Sequence, residues 1–218
     1  MVDWDRIDTV LLDMDGTLLD LYFDSYLWKE HLPRRFAERN ALDLETAKRE
    51  IAPRIRAREG TLQWYCLDHW TAELGIDISA LEREVAHLIA VRPHVPDFLQ
   101  FLRSRGIEVV LTTNAHRRSL AHKLDRTGIG AFFDHIVSSH DFGVPKEQTA
   151  FWGCLHSAVP YAPDRTLLVD DNPTVLRSAR DFGIRHLLAI RMPDSRGQPR
   201  VHTDFACIDS FLDLLPPA

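Results

Sequence analysis

The chain has 218 residues, 45% of them apolar and 27% charged, with a formal charge of −6. That is the ordinary globular balance, in a chain long enough to bury a substantial core as one large domain or as a core with an insertion. The acidic surplus argues against a nucleic-acid polymer as partner, which needs a basic surface, but leaves a single nucleotide open as a ligand. Cys66, Cys154 and Cys207 are odd in number and form no CxxC pair, so they indicate neither a disulfide framework nor a cysteine-rich zinc site. The opening Met1-Val2-Asp3-Trp4-Asp5 is acidic where a secretory signal would be basic, and no apolar run approaches membrane-spanning length. The expectation is a soluble, cytoplasmic protein without a membrane partner.

In chain order, Thr9-Val10-Leu11-Leu12 reads as a buried strand that runs into Asp13-Met14-Asp15-Gly16-Thr17. Side chains of a strand alternate faces, so Asp13 and Asp15 are expected to point the same way from its carboxyl end. Residues 20–90 read as almost entirely helical. Leu27, His31, Phe36 and Leu42 belong to a first helix, kinked near Pro33, and a second opens at Leu44 and stops at Gly60. On that second helix Arg54 and Arg58 share a face, most simply a solvated one. A third helix is expected over 62–74, closed by Gly75. Its stripe Leu62, Tyr65, Cys66, His69, Trp70 and Glu73 reads as packing, whereas Trp64 falls off the stripe and is a candidate for stacking on a flat ligand. Ser79 with Glu82 three residues on reads as a capping box for a fourth helix.

From Arg92 onward helices and strands alternate. Helices are expected over 96–105, 119–127, 147–158 and 173–182, and a closing one over 208–215. The strands fall at 108–111, 135–137, 166–169 and 185–190. Asn172 with Pro173 is the favoured start of a helix. Alternation of this kind implies an α/β fold with a parallel sheet and helices on both faces. Ligands of such sheets bind beyond the carboxyl ends of the strands. Asp13, Asp15, Thr113, Asn114, Asp170 and Asp171 all sit there, and Lys146 reaches the same crevice from a loop.

These residues suit phosphoryl transfer. Paired acids can hold magnesium, which prefers oxygen ligands, and the metal screens a carboxylate from the dianion it attacks. Asp13 can then act as nucleophile through an aspartyl-phosphate, and Asp15 is near enough to serve as acid and base. The Thr113 hydroxyl and the Lys146 ammonium can bind the equatorial oxygens.

The ordered set Asp13-Met14-Asp15-Gly16-Thr17, Thr113-Asn114, Lys146 and Asp170-Asp171 resembles the four motifs of the haloacid dehalogenase superfamily of phosphohydrolases. The resemblance implies a Rossmannoid core built from 1–19 and 91–218, with a helical C1-type cap over 20–90. It also implies a magnesium cofactor held by Asp13, Asp15, Asp171 and Asp170, with Asp171 the first choice for direct contact. A closer resemblance is to the bacterial GMP/IMP nucleotidase branch, carried by the stretches beginning at Thr9, by Trp64-Tyr65-Cys66-Leu67-Asp68, Thr113-Asn114-Ala115-His116 and Phe142-Gly143-Val144-Pro145-Lys146-Glu147. It implies a magnesium-dependent phosphomonoesterase acting on purine 5′-nucleotides, with Asn114 and Trp64 as substrate contacts. Many relatives place proline after the motif lysine, whereas here Pro145 precedes Lys146, which leaves that lysine's backbone pose open.

Other readings are a phosphatase acting on a sugar phosphate or phosphoglycolate, and a phosphate sensor without turnover. Dehalogenation fits less well because Asp15 matches the phosphatase pattern. Phosphonate hydrolysis would want a desolvated cap lysine, and neither Lys29 nor Lys48 has an apolar setting. A response-regulator receiver has no place for so large a helical insertion. His116 and His140 lie near the motifs and take no role from the sequence.

Overall fold

The computed structural model describes residues 2–201 and 203–216. Six parallel strands run β1 (Thr9–Leu12), β2 (Glu108–Thr113), β3 (His135–Ser138), β4 (Thr166–Asp170), β5 (His186–Ile190) and β6 (Ala206–Ile208), in the spatial order β3-β2-β1-β4-β5-β6. This is the α/β parallel sheet expected from the alternation of elements, and the Rossmannoid core that the resemblance implies. The order reverses at β1, so the crevice lies where β1 meets β2 and β4.

β1 shows why the sheet is buried on both faces. Val10 and Leu12 pack with Val95, Phe98, Leu102 and Phe211 on one side. Leu11 faces Phe151, Trp152, Val175 and Leu176 on the other, as period-two alternation requires. A third apolar cluster, from Phe23 to Val85, is made by the helical stretch between β1 and β2 and includes Phe36, Ile51, Trp70 and Leu81. Among the described residues no helix is long and apolar enough to cross a membrane.

Several local expectations are corrected. β1 spans Thr9–Leu12 as expected, but Asp13 and Asp15 do not point the same way, because Asp13 to Leu19 turn back beyond it. Gly16 donates to the Leu19 carbonyl (2.8 Å) and has φ +86°, which glycine adopts at least cost. The first helical stretch, expected to be interrupted or kinked near Pro33, is interrupted just before it, though the chain stays helical throughout. It runs as α-helix over Tyr22–Tyr26, widens to a π turn over Leu27–His31, and continues as α-helix over Leu32–Asn40. The predicted helix over 62–74 is divided. Cys66 is extended and separates the 3₁₀ turn Leu62–Tyr65 from the helix Leu67–Leu74, which its thiol caps by accepting from the His69 N–H.

The next helix, Ile78–Glu84, is capped by Asp77 rather than Ser79, and Glu82 is drawn into a buried bond with Ser119. Arg54 and Arg58 are exposed, as a solvated face requires. At the end of the chain the predicted helix is instead strand β6 followed by a 3₁₀ turn over Phe211–Leu214. A three-residue strand is too short to show its period in sequence. It becomes a strand because β5 offers it an open edge.

Candidate active site

Strand register builds the centre of the site. Leu12 lies opposite Leu111 and Val169, so the next residue, Asp13, emerges beside Thr112 and Asp170. The Asp13 N–H donates to the Val169 carbonyl (3.1 Å), fixing it there. Lys146 enters from the loop after β3, fully buried. Its ammonium donates to Asp13 Oδ1 (2.7 Å), Asp170 Oδ2 (2.7 Å) and the Thr112 carbonyl (2.8 Å). The lysine's pose is set by Asn114, whose Oδ1 accepts the Lys146 backbone N–H (3.0 Å). Asn114 Nδ2 donates in turn to Glu147 (2.9 Å). Asn114 thus holds Lys146 in place, and it also lines the cavity in which a substrate contact is expected of it.

Oxygens of Asp13, Asp170 and Asp171 lie within 4.8 Å of one another, and all three residues are buried. Burial pushes Asp13 up to about 7, against the pull of Lys146. Burial likewise raises Asp171 to about 7 and Asp170 to about 6. Lys146 and the half-exposed Arg200, which donates to Asp171 Oδ2 (2.7 Å), are the cations paired with this triad. Three buried carboxylates beside one buried ammonium leave surplus negative charge, and a hard divalent cation fits that donor set. Gly16 leaves room beside it, since a Cβ there would come within 2.7 Å of Asp171 Oδ2.

Asp15 faces elsewhere. Its carboxylate is outside the triad and pairs with the buried ammonium of Lys123 (2.7 Å), which also holds Asp24 (2.9 and 3.0 Å). Burial opposes the charge on Lys123, yet Asp15, Asp24 and Glu82 outweigh it and hold the lysine above its ordinary pKa. Thr113 is buried on the wall between these two charged clusters, its Oγ1 accepting the Ala115 N–H (3.0 Å), which leaves its hydroxyl proton free to donate.

The crevice opens into a cavity of about 810 Å³ roofed by the helical segment. Trp28, Pro33, Ile51, Ile55, Trp64 and Trp70 give that roof an apolar surface, with Lys29 and Lys48 at its edge. Trp64 is half-buried there, and its carbonyl accepts from Trp70 Nε1 (2.8 Å). Trp70 is packed in the core of the segment as read from its stripe. Tyr65, assigned to packing on the same stripe, instead donates its hydroxyl to Glu147 Oε1 (2.5 Å), linking the roof to the residue after Lys146. The stripe argument failed because the helix breaks at Cys66, which resets the phase.

Sequence reasoning missed Lys123, Asp24, Glu82, Glu147 and Arg200. Only Lys123 left a trace: with Ser119 and Leu120 it lies on the inward stripe of Arg117–Thr127, where a lysine needs an acidic partner.

The model of haloacid dehalogenase-like hydrolases matches residues 7–183. The chain belongs to the haloacid dehalogenase-like hydrolase family. It is 37% identical over 215 residues to the GMP/IMP nucleotidase YrfG of Escherichia coli (strain K12), covering 99% of this chain and 97% of that one. It is 26% identical over 216 residues to a phosphoglycolate phosphatase of Pseudomonas fluorescens, covering 95% and 78%. Among solved structures, a phosphatase of the same family from Thermococcus onnurineus shares the fold with a TM-score of 0.80 at 18% identity, covering 95% and 96%. Family membership and the likeness to the Escherichia and Pseudomonas enzymes support phosphatase chemistry, while the Thermococcus structure shows the shared fold.

Proposed function

We propose that the chain is a magnesium-dependent, cytoplasmic phosphomonoesterase acting on purine 5′-nucleotides through an aspartyl-phosphate. The observation that carries the reaction is the convergence of Asp13, Asp170, Asp171 and Lys146 at the sheet's reversal point, with Asp15 one turn away. Magnesium would be held by Asp13, Asp170 and Asp171, and it supplies positive charge that lets a carboxylate approach a phosphate dianion. Lys146 and the Thr113 hydroxyl bind the non-bridging oxygens, where charge accumulates as phosphorus transfers. Asp13 attacks phosphorus and the ester oxygen leaves, taking its proton from Asp15. Water then attacks the aspartyl-phosphate while Asp15 takes its proton, returning Asp13 and releasing inorganic phosphate. Asp15 is kept oriented through both half-reactions by its bond to Lys123. The three free cysteines suit a reducing compartment.

Residues 20–90 are the proposed cap, closing over the substrate through contacts such as Tyr65 with Glu147. The charge of the crevice favours any phosphate ester, so selection of a purine nucleotide must come from the roof. Its volume and its Trp28 and Trp64 surface suit a nucleoside better than a two-carbon acid. YrfG, whose name gives GMP and IMP as substrates, supports the same reading. Phosphate release measured across nucleotides, sugar phosphates and phosphoglycolate tests it. Highest kcat/KM for GMP or IMP is expected, and no release from either would remove the nucleotidase assignment.

Two smaller effects are expected at this site. Both oxygens of Asp170 are engaged, Oδ2 by Lys146 and Oδ1 by the Asn172 N–H (2.8 Å), whereas Asp171 Oδ1 has no hydrogen-bond partner among the described residues. Asp171→Ala should therefore weaken magnesium binding by about tenfold or more relative to Asp170→Ala. Metal titrations of the two variants decide it, and the reverse order would move the direct contact to Asp170. In the roof, Trp64→Ala should raise KM for GMP or IMP by five- to roughly a hundredfold, the range for loss of a stacked base, with little change for a small phosphate ester. Equal losses on both substrates would make Trp64 a support of the roof only.

A further inference from the structure

A second group of coordinating side chains gathers where the helical segment meets the sheet domain. Cys66 ends the turn Leu62–Tyr65, His116 caps the helix Arg117–Thr127, and His140 lies in the turn after β3. One coordinating atom of each lies within 4.8 Å of the other two. The two imidazoles meet edge to face with centroids 5.0 Å apart. Nε2 of His140 is buried and has no hydrogen-bond partner among the described residues, which leaves it open to a ligand. Nε2 of His116 faces the Asp68 carboxylate at 3.4 Å. Burial is the main cause that lowers the pKa of both histidines, which keeps the rings neutral, the form that coordinates metals.

We propose that Cys66, His116 and His140 form a transition-metal site of the zinc class, completed by Asp68, that ties the cap segment to the core. A thiolate, two imidazoles and a carboxylate are the mixed set that zinc takes tetrahedrally, whereas magnesium requires oxygen ligands. Neighbouring ligand atoms of such a tetrahedron stand roughly 3.4–3.7 Å apart, given ordinary Zn–N and Zn–S lengths. The spacing of Cys66, His116 and His140 closes by a contraction of roughly 1 Å, within side-chain rotation, and the exposed Asp68, which lies outside that group, swings in from its place beside His116. Asp68 exchanges part of its pairing with Arg118 for the metal. Binding releases the Cys66 thiol proton to solvent and leaves sulfur as thiolate. Cys66 and Asp68 follow Trp64-Tyr65 in the roof, and His116 follows Asn114 beside Lys146. A metal here therefore fixes the mouth of the cavity without entering the carboxylate crevice.

The test is a cobalt(II) titration of the reduced, full-length, magnesium-saturated protein, followed by absorption and then by zinc displacement. One equivalent is expected, with a thiolate-to-cobalt charge-transfer band in the near ultraviolet and intense tetrahedral bands in the visible, all abolished by zinc. Cobalt in the carboxylate crevice gives no thiolate band, so the two sites are distinguishable. Cys66→Ser should remove the band, and His140→Gln should weaken binding at least about a hundredfold, beyond the usual cost of losing a supporting contact. If Cys66→Ser does not fold, the double variant Cys154→Ser/Cys207→Ser decides, because a full band there assigns the thiolate to Cys66. Absence of the thiolate band in the wild type, its persistence in Cys66→Ser, or its loss in the double variant overturns the proposal.

Discussion

Asp13→Asn is expected to lower phosphate release by several orders of magnitude while leaving the fold intact. Asparagine keeps the shape of the side chain but supplies no attacking carboxylate oxygen. The Lys146 ammonium remains satisfied by Asp170 and the Thr112 carbonyl, so the replacement leaves no buried charge stranded. A loss of a thousandfold corresponds to about 4 kcal/mol of transition-state stabilisation, well within what a missing nucleophile removes. The sign of the stability change separates this from misfolding. Burial raises Asp13 to about 7, above the ordinary carboxylate value, so its ionisation destabilises the metal-free fold as pH rises from about 4 through 7. The amide has no such penalty. The melting temperature of metal-free Asp13→Asn at pH 8 should therefore equal or exceed that of the wild type. A folded variant keeping a tenth of the wild-type rate would refute the nucleophile.

Lys123→Met is expected to lose both activity and stability, the second more than any surface change. The side chain is 2% exposed and holds Asp15 and Asp24 at 2.7 and 2.9 Å, with Glu82 adding to the same field. Methionine fills the volume but leaves the part-buried Asp15 and Asp24 and the buried Glu82 without a cation, a change that costs up to about 3–5 kcal/mol. The deficit has a pH signature. Burial already raises Asp24 to about 7 and pushes Glu82 up, and both rise further once the opposing ammonium is gone. Carboxylates whose folded pKa exceeds the unfolded value destabilise the fold progressively as they ionise. The gap to wild type should be smallest below about pH 4 and widen through pH 7. Asp15 loses its orienting partner, so kcat falls with KM for a small ester little changed. Denaturant melts at pH 4.5 and 7.5 with kinetics at the latter check both parts; a pH-independent gap would show that packing, not charge, is lost.

The amino-acid sequence by itself determined the sheet and its reactive edge. Apolar runs such as Val10 to Leu12 and Thr166 to Val169 are unmistakable because strands buried on both faces need continuous apolar residues. The acids that follow such runs have to sit at the carboxyl ends, so Asp13, Asp170 and Asp171 could be placed together before any contact was known. Residues whose role depends on a partner distant in sequence were not legible in this way. Lys123 meets Asp15 across 108 positions, and Tyr65 meets Glu147 across 82. Periodicity reports only which face of its own helix a residue occupies, and it reports that wrongly once a helix breaks, as at Cys66. Cys66, His116 and His140 lie in three separate segments, and no sequence spacing joins them. His116 and His140 meet within the sheet domain, and the packing of the helical segment against it brings Cys66 beside them, because such a cluster needs convergence in space and local sequence encodes only direction along the chain.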